Sequence, residues 1–357
     1  MFGAHFRLPL QSRRSLGAAA ALSLVVLGCW SQANADEKKF KVGMAVGGNP
    51  CCEWMKAQGD VARALAAARG WDYLELSNEN DPAVTLKNAS IFIQEKVDAV
   101  IQFNGNASVN DVMAAKYAAA GIPVITYDIA HKGFYFVGVD NLAAGRLGGQ
   151  AIGQVVKEKW DCKPDLVVSA EFSAVGLVNT WRTGGMREGL RAVCPEIPPE
   201  KYVSFEISLQ SNGSMAAARD LLAAHPDAKR IVFVGISDDP VLAAIQAAEQ
   251  LGRAQEVIGW GQDGAFITGP NVNPHLLGSV FYFLEGYAAY SFAILDQIAA
   301  GHPPPMKDTA EDPAGRVPPC PVTAAQAATV PDMPDRVKGL LAAPKGANEY
   351  DLFCPSK

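Results

Sequence analysis

Pro123-Val124-Ile125-Thr126-Tyr127-Asp128 runs for five residues without a charge and then stops on a carboxylate. An apolar run with no alternating charged positions suits a strand covered on both faces, as in a parallel sheet, better than one facing water. Strands are also expected at Lys41–Val46, Asp72–Leu76, Ala99–Phe103 and Tyr135–Val139, several of them without that alternation. Between these runs lie the helix-period stretches Glu53–Arg69, Pro82–Glu95 and Asn110–Ala120. A second series follows, with strands expected at Asp165–Ala170, Val203–Ser208, Arg230–Gly235 and Gln255–Trp260, and helices at Trp181–Val193, Ser214–Ala224 and Pro240–Leu251. Repeated strand–helix order predicts an α/β fold. Two such series predict two doubly wound parallel-sheet lobes joined by a hinge, with a ligand cleft between them.

The length of 357 residues agrees with two domains. With 49% hydrophobic and 19% charged residues, the chain can bury sizeable cores. Its 31 Lys and Arg against 37 Asp and Glu, a net charge of −6, give no general positive field for a phosphate backbone, so no nucleic-acid partner is expected. Residues 1–35 read as a signal peptide: Arg7, Arg13 and Arg14 precede the apolar run Ala18–Trp30, and Ala33-Asn34-Ala35 forms the cleavage site. The run is shorter than the ~20 residues that a membrane-spanning helix needs. Val26-Leu27-Gly28-Cys29 loosely resembles a lipoprotein box and Ser12-Arg13-Arg14 a twin-arginine signal, but Ala33-Asn34-Ala35 is the better-formed site and favours simple export to the periplasm. Loss of the three arginines makes the exported chain three charges more negative.

Export changes how the cysteines read, because disulfides persist outside the cytoplasm. Six remain after the leader. Cys320 and Cys354 could staple the C-terminal stretch, and Cys162 and Cys194 flank a strand and helix that could bring them together. Cys51 and Cys52 are adjacent and can close only a strained ring, so two free thiols are the alternative. No Cys-x-x-Cys or His-x-x-x-His spacing points to a metal.

In open α/β sheets ligands bind beyond the carboxyl ends of the strands. The residues there are Gly47–Cys52 after the first strand, Asn104-Gly105-Asn106 after the third and Asp128 after the fourth. The second series offers Glu171-Phe172-Ser173, Ser237-Asp238-Asp239 and Gln262-Asp263-Gly264, with Arg182 opening a helix. Any one of these could be a turn former or cap. Their recurrence at strand ends points instead to a polyhydroxyl ligand, whose hydroxyls each donate and accept.

Enzymatic readings find less support. Gly259-Trp260-Gly261-Gln262-Asp263-Gly264 spells a dinucleotide fingerprint, but Gly269-Pro270 and Asn273-Pro274 follow where a helix should open. No P-loop, Gly-x-Ser-x-Gly elbow or His-Glu-x-x-His occurs. An exported carbohydrate-active enzyme is therefore the weaker alternative, beside a sensor that presents its solute to a membrane receptor. No cofactor is expected.

Lys41–Met44, Asn49-Pro50, Pro123–Asp128 and Val137–Asn141 with Gly145 and Gly149 resemble the periplasmic sugar-binding proteins of ABC importers, of the ribose and galactose type. Arg182-Thr183-Gly184-Gly185-Met186 is similar to that family's Arg-x-x-Gly-Phe, and Gly259–Gly264 to its Gly-x-Asp-Gly turn with an insertion. The resemblance covers about residues 40–301. It implies a monomer that captures a small neutral sugar or polyol by lobe closure and delivers it to a membrane permease. The first lobe would comprise 36–140 and about 283–301, the second 141–282, and 302–357 would form a Pro-rich, disulfide-stapled extension.

Carried over by position, the resemblance places Asn49, Cys51, Cys52, Trp54, Asn104 and Asp128 at the ligand from the first lobe. Arg182, Ser237, Asp263 and Tyr282 would lie on the second lobe or at the hinge. Three positions depart from the ribose pattern: cysteines replace two aromatic residues at 51 and 52, Ile129 stands where an Arg would follow Asp128, and Ser237 replaces an Asn or Asp. The aromatic platform implies that a Cys51–Cys52 disulfide would offer the sugar a polarizable apolar face. Crossings are expected near Asp140-Asn141, near Asp263–Tyr282 and after Ala300. A sugar-responsive repressor of the same core would need a DNA-reading helix pair where this chain has a leader.

Overall fold

A computed structural model describes residues 38–46, 53–79, 81–105, 107–207, 213–265, 267, 272–306 and 316–355. The expected signal peptide and Asn49, Cys51 and Cys52 lie outside the described residues.

The first series forms β1 (Lys41–Val46), α1 (Glu53–Ala68), β2 (Asp72–Ser77), α2 (Pro82–Gln94), β3 (Ala99–Gln102), α3 (Asn110–Ala119), β4 (Val124–Tyr127) and β5 (Tyr135–Val139). The second forms α4 (Asn141–Trp160), β6 (Leu166–Glu171), α5 (Leu177–Val193), β7 (Tyr202–Glu206), α6 (Gly213–Ala224), β8 (Ile231–Gly235), α7 (Asp238–Gln250), β9 (Val257–Asp263) and β10 (Leu276–Phe281). The chain then runs through α8 (Tyr287–Ala299), β11 (Arg316–Val317), β12 (Cys320–Thr323), α9 (Ala324–Ala327), α10 (Met333–Ala342) and α11 (Glu349–Phe353). Local chemistry sets the boundaries. Asp81 caps α2 by accepting from the Ala83 and Val84 N–H groups, with Pro82 at the first helical position, where its missing N–H costs nothing.

Two six-stranded sheets result, ordered β11-β5-β4-β3-β1-β2 and β12-β10-β9-β8-β6-β7. Every pairing is parallel except that of β12 with β10. Both sheets are packed on both faces. Val42 and Ile101 belong to one core and Ala45 and Val100 to another, while Val168 and Phe233 face away from Val167 and Val232. That double burial is why the strands carry unbroken apolar runs.

Two expected boundaries move. Helix α5 begins four residues early, at Leu177, which puts Arg182 in its second turn rather than at its opening. Strand β9 continues past Trp260 to Asp263, because Gly259 and Gly261 leave room for Val241, Ile245 and Asp238 of α7 to pack directly on the strand backbone.

Helices α4 and α5 approach backbone to backbone. A Cβ on Gly149 would lie 2.1 Å from the Met186 carbonyl oxygen, and one on Gly189 2.1 Å from that of Arg146. The Cys162–Cys194 disulfide joins the far ends of the pair, with 5.3 Å between Cα atoms. Closing a loop of about 30 residues stabilises by roughly 3–4 kcal/mol in the chain-entropy view.

The residues after β10 return to both lobes. Helix α8 packs on α1, where Arg69 grips Asp296 with two bonds of 2.7 and 2.9 Å, and Phe292 and Leu295 enter the core beneath the first sheet. Strand β11 lengthens the first sheet and β12 the second. Leu340 of α10 joins the first core, whereas Val330 and Cys354 join the second, and a disulfide links Cys354 to Cys320. No helix among the described residues is long and apolar enough to cross a membrane.

Candidate functional site

Strand order reverses between β1 and β3 in the first sheet and between β6 and β8 in the second, so each crevice opens beyond the carboxyl ends of those strands. From the first lobe, the residue following β4 reaches the site. Asp128 adopts a left-handed backbone, φ 55°, which is uncommon outside glycine and a frequent mark of functional positions. Its carboxylate is held at both oxygens: the Tyr287 hydroxyl donates to Oδ1 at 3.1 Å, and Arg182 Nη2 donates to Oδ2 at 3.1 Å.

That second bond spans the lobes. Asp128 is 8% exposed and Arg182 7%, so the pair is desolvated and each partner depends on the other's charge. Arg182 Nε donates to Asn141 Oδ1 at 2.7 Å, and Nη1 to the Ile236 carbonyl at 3.3 Å, just beyond β8. The guanidinium also lies over the Tyr282 ring, 4.7 Å from its centroid. The close α4–α5 packing makes this possible, because Asn141 opens one helix and Arg182 stands on the other.

Tyr282 donates its hydroxyl to Gln262 Oε1, and Gln262 Nε2 donates to the Gly235 carbonyl at 3.2 Å and to that of Arg182 at 3.4 Å. Burial raises the pKa of both Tyr282 and Tyr287, which keeps them neutral O–H donors. Asp263 ends β9 with φ 84° and accepts from the Ala265 N–H at 3.0 Å. Burial raises its pKa despite that bond and the nearby Arg182 charge. Asp238 is fully buried and accepts from Ser279 Oγ at 2.6 Å, so its carboxylate fastens α7 to β10.

Of the residues expected at a site, the structure brings Asp128, Arg182 and Tyr282 into direct contact, with Asp263 close enough to Arg182 to feel its charge. Of the rest, Trp54, Asn104 and Ser237 are described and stand near neighbouring strand ends. Trp54, in the first turn of α1, packs edge-to-face on Phe103, with 5.7 Å between centroids. Asn104 follows β3 and donates to Asn110 Oδ1 at 2.9 Å. Ser237 is the residue before α7. At the rim the lobes meet as well, for a Cβ on Gly105 would lie 3.9 Å from Val175 Cγ1.

Two participants, Asn141 and Tyr287, had no place among the expected ligand contacts. Asn141 sits within a quoted motif but there marked only a crossing. Gln262, offered with Asp263 at a strand end, does join the network through Tyr282. Tyr287 reaches Asp128 from 159 residues away, with no local signal. Among the described residues, no three His, Cys, Asp or Glu side chains are grouped to hold a metal.

The chain can also be set beside known proteins. It is 30% identical over 123 residues to the L-arabinose-binding periplasmic protein of Escherichia coli, an alignment covering 33% of this chain and 36% of that one. It is 25% identical over 220 residues to the D-apiose import binding protein of Paraburkholderia graminis, covering 59% and 66%. Among solved structures, a galactofuranose binding protein superposes with a TM-score of 0.69 at 19% identity, covering 85% of this chain and 99% of that one. A solute binding protein of an ABC transporter from Bacillus halodurans, with bound myo-inositol, gives 0.64 at 18% identity, covering 86% and 99%. These structures share the two-lobed fold. The model of the periplasmic binding protein domain matches residues 48–303, and the chain belongs to that family.

Proposed function

We propose that this protein captures a small neutral sugar or polyol between its lobes in the periplasm and delivers it unchanged to an ABC importer permease. The observation that carries this reading is the buried Asp128–Arg182 pair, formed across the lobes at the carboxyl ends of the sheets. Arg182 has five N–H donors. Three are engaged by Asn141, Ile236 and Asp128, leaving two without a partner among the described residues. The carboxylate has about four acceptor sites, of which Tyr287 and Arg182 occupy two. An adjacent donor and acceptor, both already desolvated, match a hydroxyl that must donate and accept at once. The partly buried ring of Trp54 supplies apolar surface for a sugar ring.

Relatives named for arabinose and apiose binding support the ligand class, and their being binding proteins supports capture without turnover. A thermal-shift screen of the exported chain against pentoses, hexoses and polyols tests the proposal. A ligand at a hundredfold excess over its Kd should add about 2.7 kcal/mol to the unfolding free energy. No shift with any polyhydroxyl compound, or consumption of one that binds, would end this reading.

A further inference from the structure

The C-terminal residues touch the hinge at one turn, Leu284–Gly286, where the chain leaves β10 for α8. Arg336 of α10 donates through Nε to Glu285 Oε1, and the two residues are 4% and 2% exposed. Arg336 Nη1 is fixed on the Pro331 carbonyl at 2.8 Å, and the guanidinium lies over Phe283, 5.6 Å from its centroid. One residue on, Gly286 is the seat of Glu349 from α11: a Cβ there would come within 1.3 Å of Glu349 Oε2. Both Glu349 oxygens are buried without a hydrogen-bond partner. Burial and the neighbouring Glu285 charge push its pKa well up, against the pull of Arg336. Helix α11 is itself tied back to β12 by the Cys320–Cys354 disulfide.

The residue after that turn is Tyr287. Its hydroxyl is one of the two donors that hold the Asp128 carboxylate, and its ring stands edge-on to Tyr127, with 5.5 Å between centroids. We infer that Tyr287 is the positioning residue for the Asp128 carboxylate, and that the C-terminal segment, gripping Glu285 and Gly286, holds Tyr287 in register. The coupling is geometric. A hydrogen bond of 3.1 Å is lost if its donor retreats by about 1 Å, and the phenol is rigid, so a movement of the turn passes directly to the hydroxyl. Released from Tyr287, the carboxylate can rotate about Arg182 and no longer presents a fixed acceptor. The part of this inference that concerns ligand rests on the function proposed above.

The test reads the hydroxyl directly. In protein with isotopically labelled tyrosine, the buried Tyr287 hydroxyl proton should give an NMR resonance that disappears in Tyr287→Phe and moves in Asp128→Asn. The same resonance should move in Glu285→Gln/Arg336→Met, which removes the clamp without stranding a buried charge. Should that variant fail to fold, Cys320→Ser/Cys354→Ser, which frees α11, replaces it with the same expectation. A resonance unmoved by loosening the C-terminal segment overturns the inference whether or not a ligand is known. Calorimetric titration of L-arabinose, D-apiose and myo-inositol forms the second arm, where Tyr287→Phe should weaken whichever binds by about tenfold, a hydrogen bond to a charged group being lost. Unchanged affinity also overturns the inference. Silence of the wild type towards every sugar overturns the functional reading instead, leaving the resonance to decide the positioning.

Discussion

Asp128 combines a left-handed backbone, burial and two charged or polar partners drawn from elsewhere in the chain, which a structural aspartate rarely needs. Replacing it, or Arg182, by Ala should weaken sugar binding by about tenfold or more, since hydrogen bonds to charged groups contribute roughly 1.5–3 kcal/mol. Titration calorimetry on folded mutants checks this, and unchanged curves for both would place the site elsewhere. Asp263 makes a different prediction. Burial raises its carboxyl from 3.8 to about 7, so the folded state holds a proton that the unfolded chain has released. Its contribution to stability is full below pH 4 and declines as pH rises towards 7, because the folded protein binds more protons across that window. Denaturant melts from pH 4 to pH 8 should show this decline in the wild type and not in Asp263→Asn; parallel curves would refute it. Asp128 and Arg182 were both legible in the sequence as polar residues at or near strand ends, but their contact with each other was not, since 54 positions separate them.

At the scale of the element, α4 and α5 form the support on which Arg182 stands. Their contact depends on absent side chains, so Gly149→Ala or Gly189→Ala must push the helices apart. Overpacking of this kind costs about 1–3 kcal/mol, to be read as a lower denaturant midpoint. Sugar affinity should fall with it, because Asn141 and Arg182 move on separate helices; retained stability in both variants would mean that the packing is less strict than the geometry requires. Apolar runs and helical periods revealed most strands and helices here, since the inner strands of these sheets are covered on both faces, unlike the edge strands β2 and β7. Helix α5 was harder. Its first turn, Leu177–Thr180, has Leu177 57% exposed and carries no side-chain cap at Gly176, so neither pattern nor capping announced it.

For the whole molecule, capture requires the lobes to part and meet again. The approach of Gly105 to Val175 at the rim offers a way to hold them together. In Gly105→Cys/Val175→Cys, oxidation with sugar present should slow release by roughly tenfold or more, by removing the open state from the equilibrium, and reduction should restore it. Release rates followed by intrinsic fluorescence decide it; equal rates in both redox states would show that exchange needs no opening there. The involvement of the C-terminal stretch in both sheets was not legible, because β11 spans two residues and proline punctuates its surroundings. That involvement also bears on the order of events at birth. Val42 shares a core with Phe292, Val317 and Leu340, so the lobe built on β1 to β5 cannot be sealed until Leu340 has been made. The second core, which takes in Val330 and Cys354, is completed later still, but its strands β6 to β10 are all made after those of the first sheet from β1 to β5. The earliest-made sheet therefore waits longest with its apolar face uncovered, and a holdase has the most to protect at the N-terminal end.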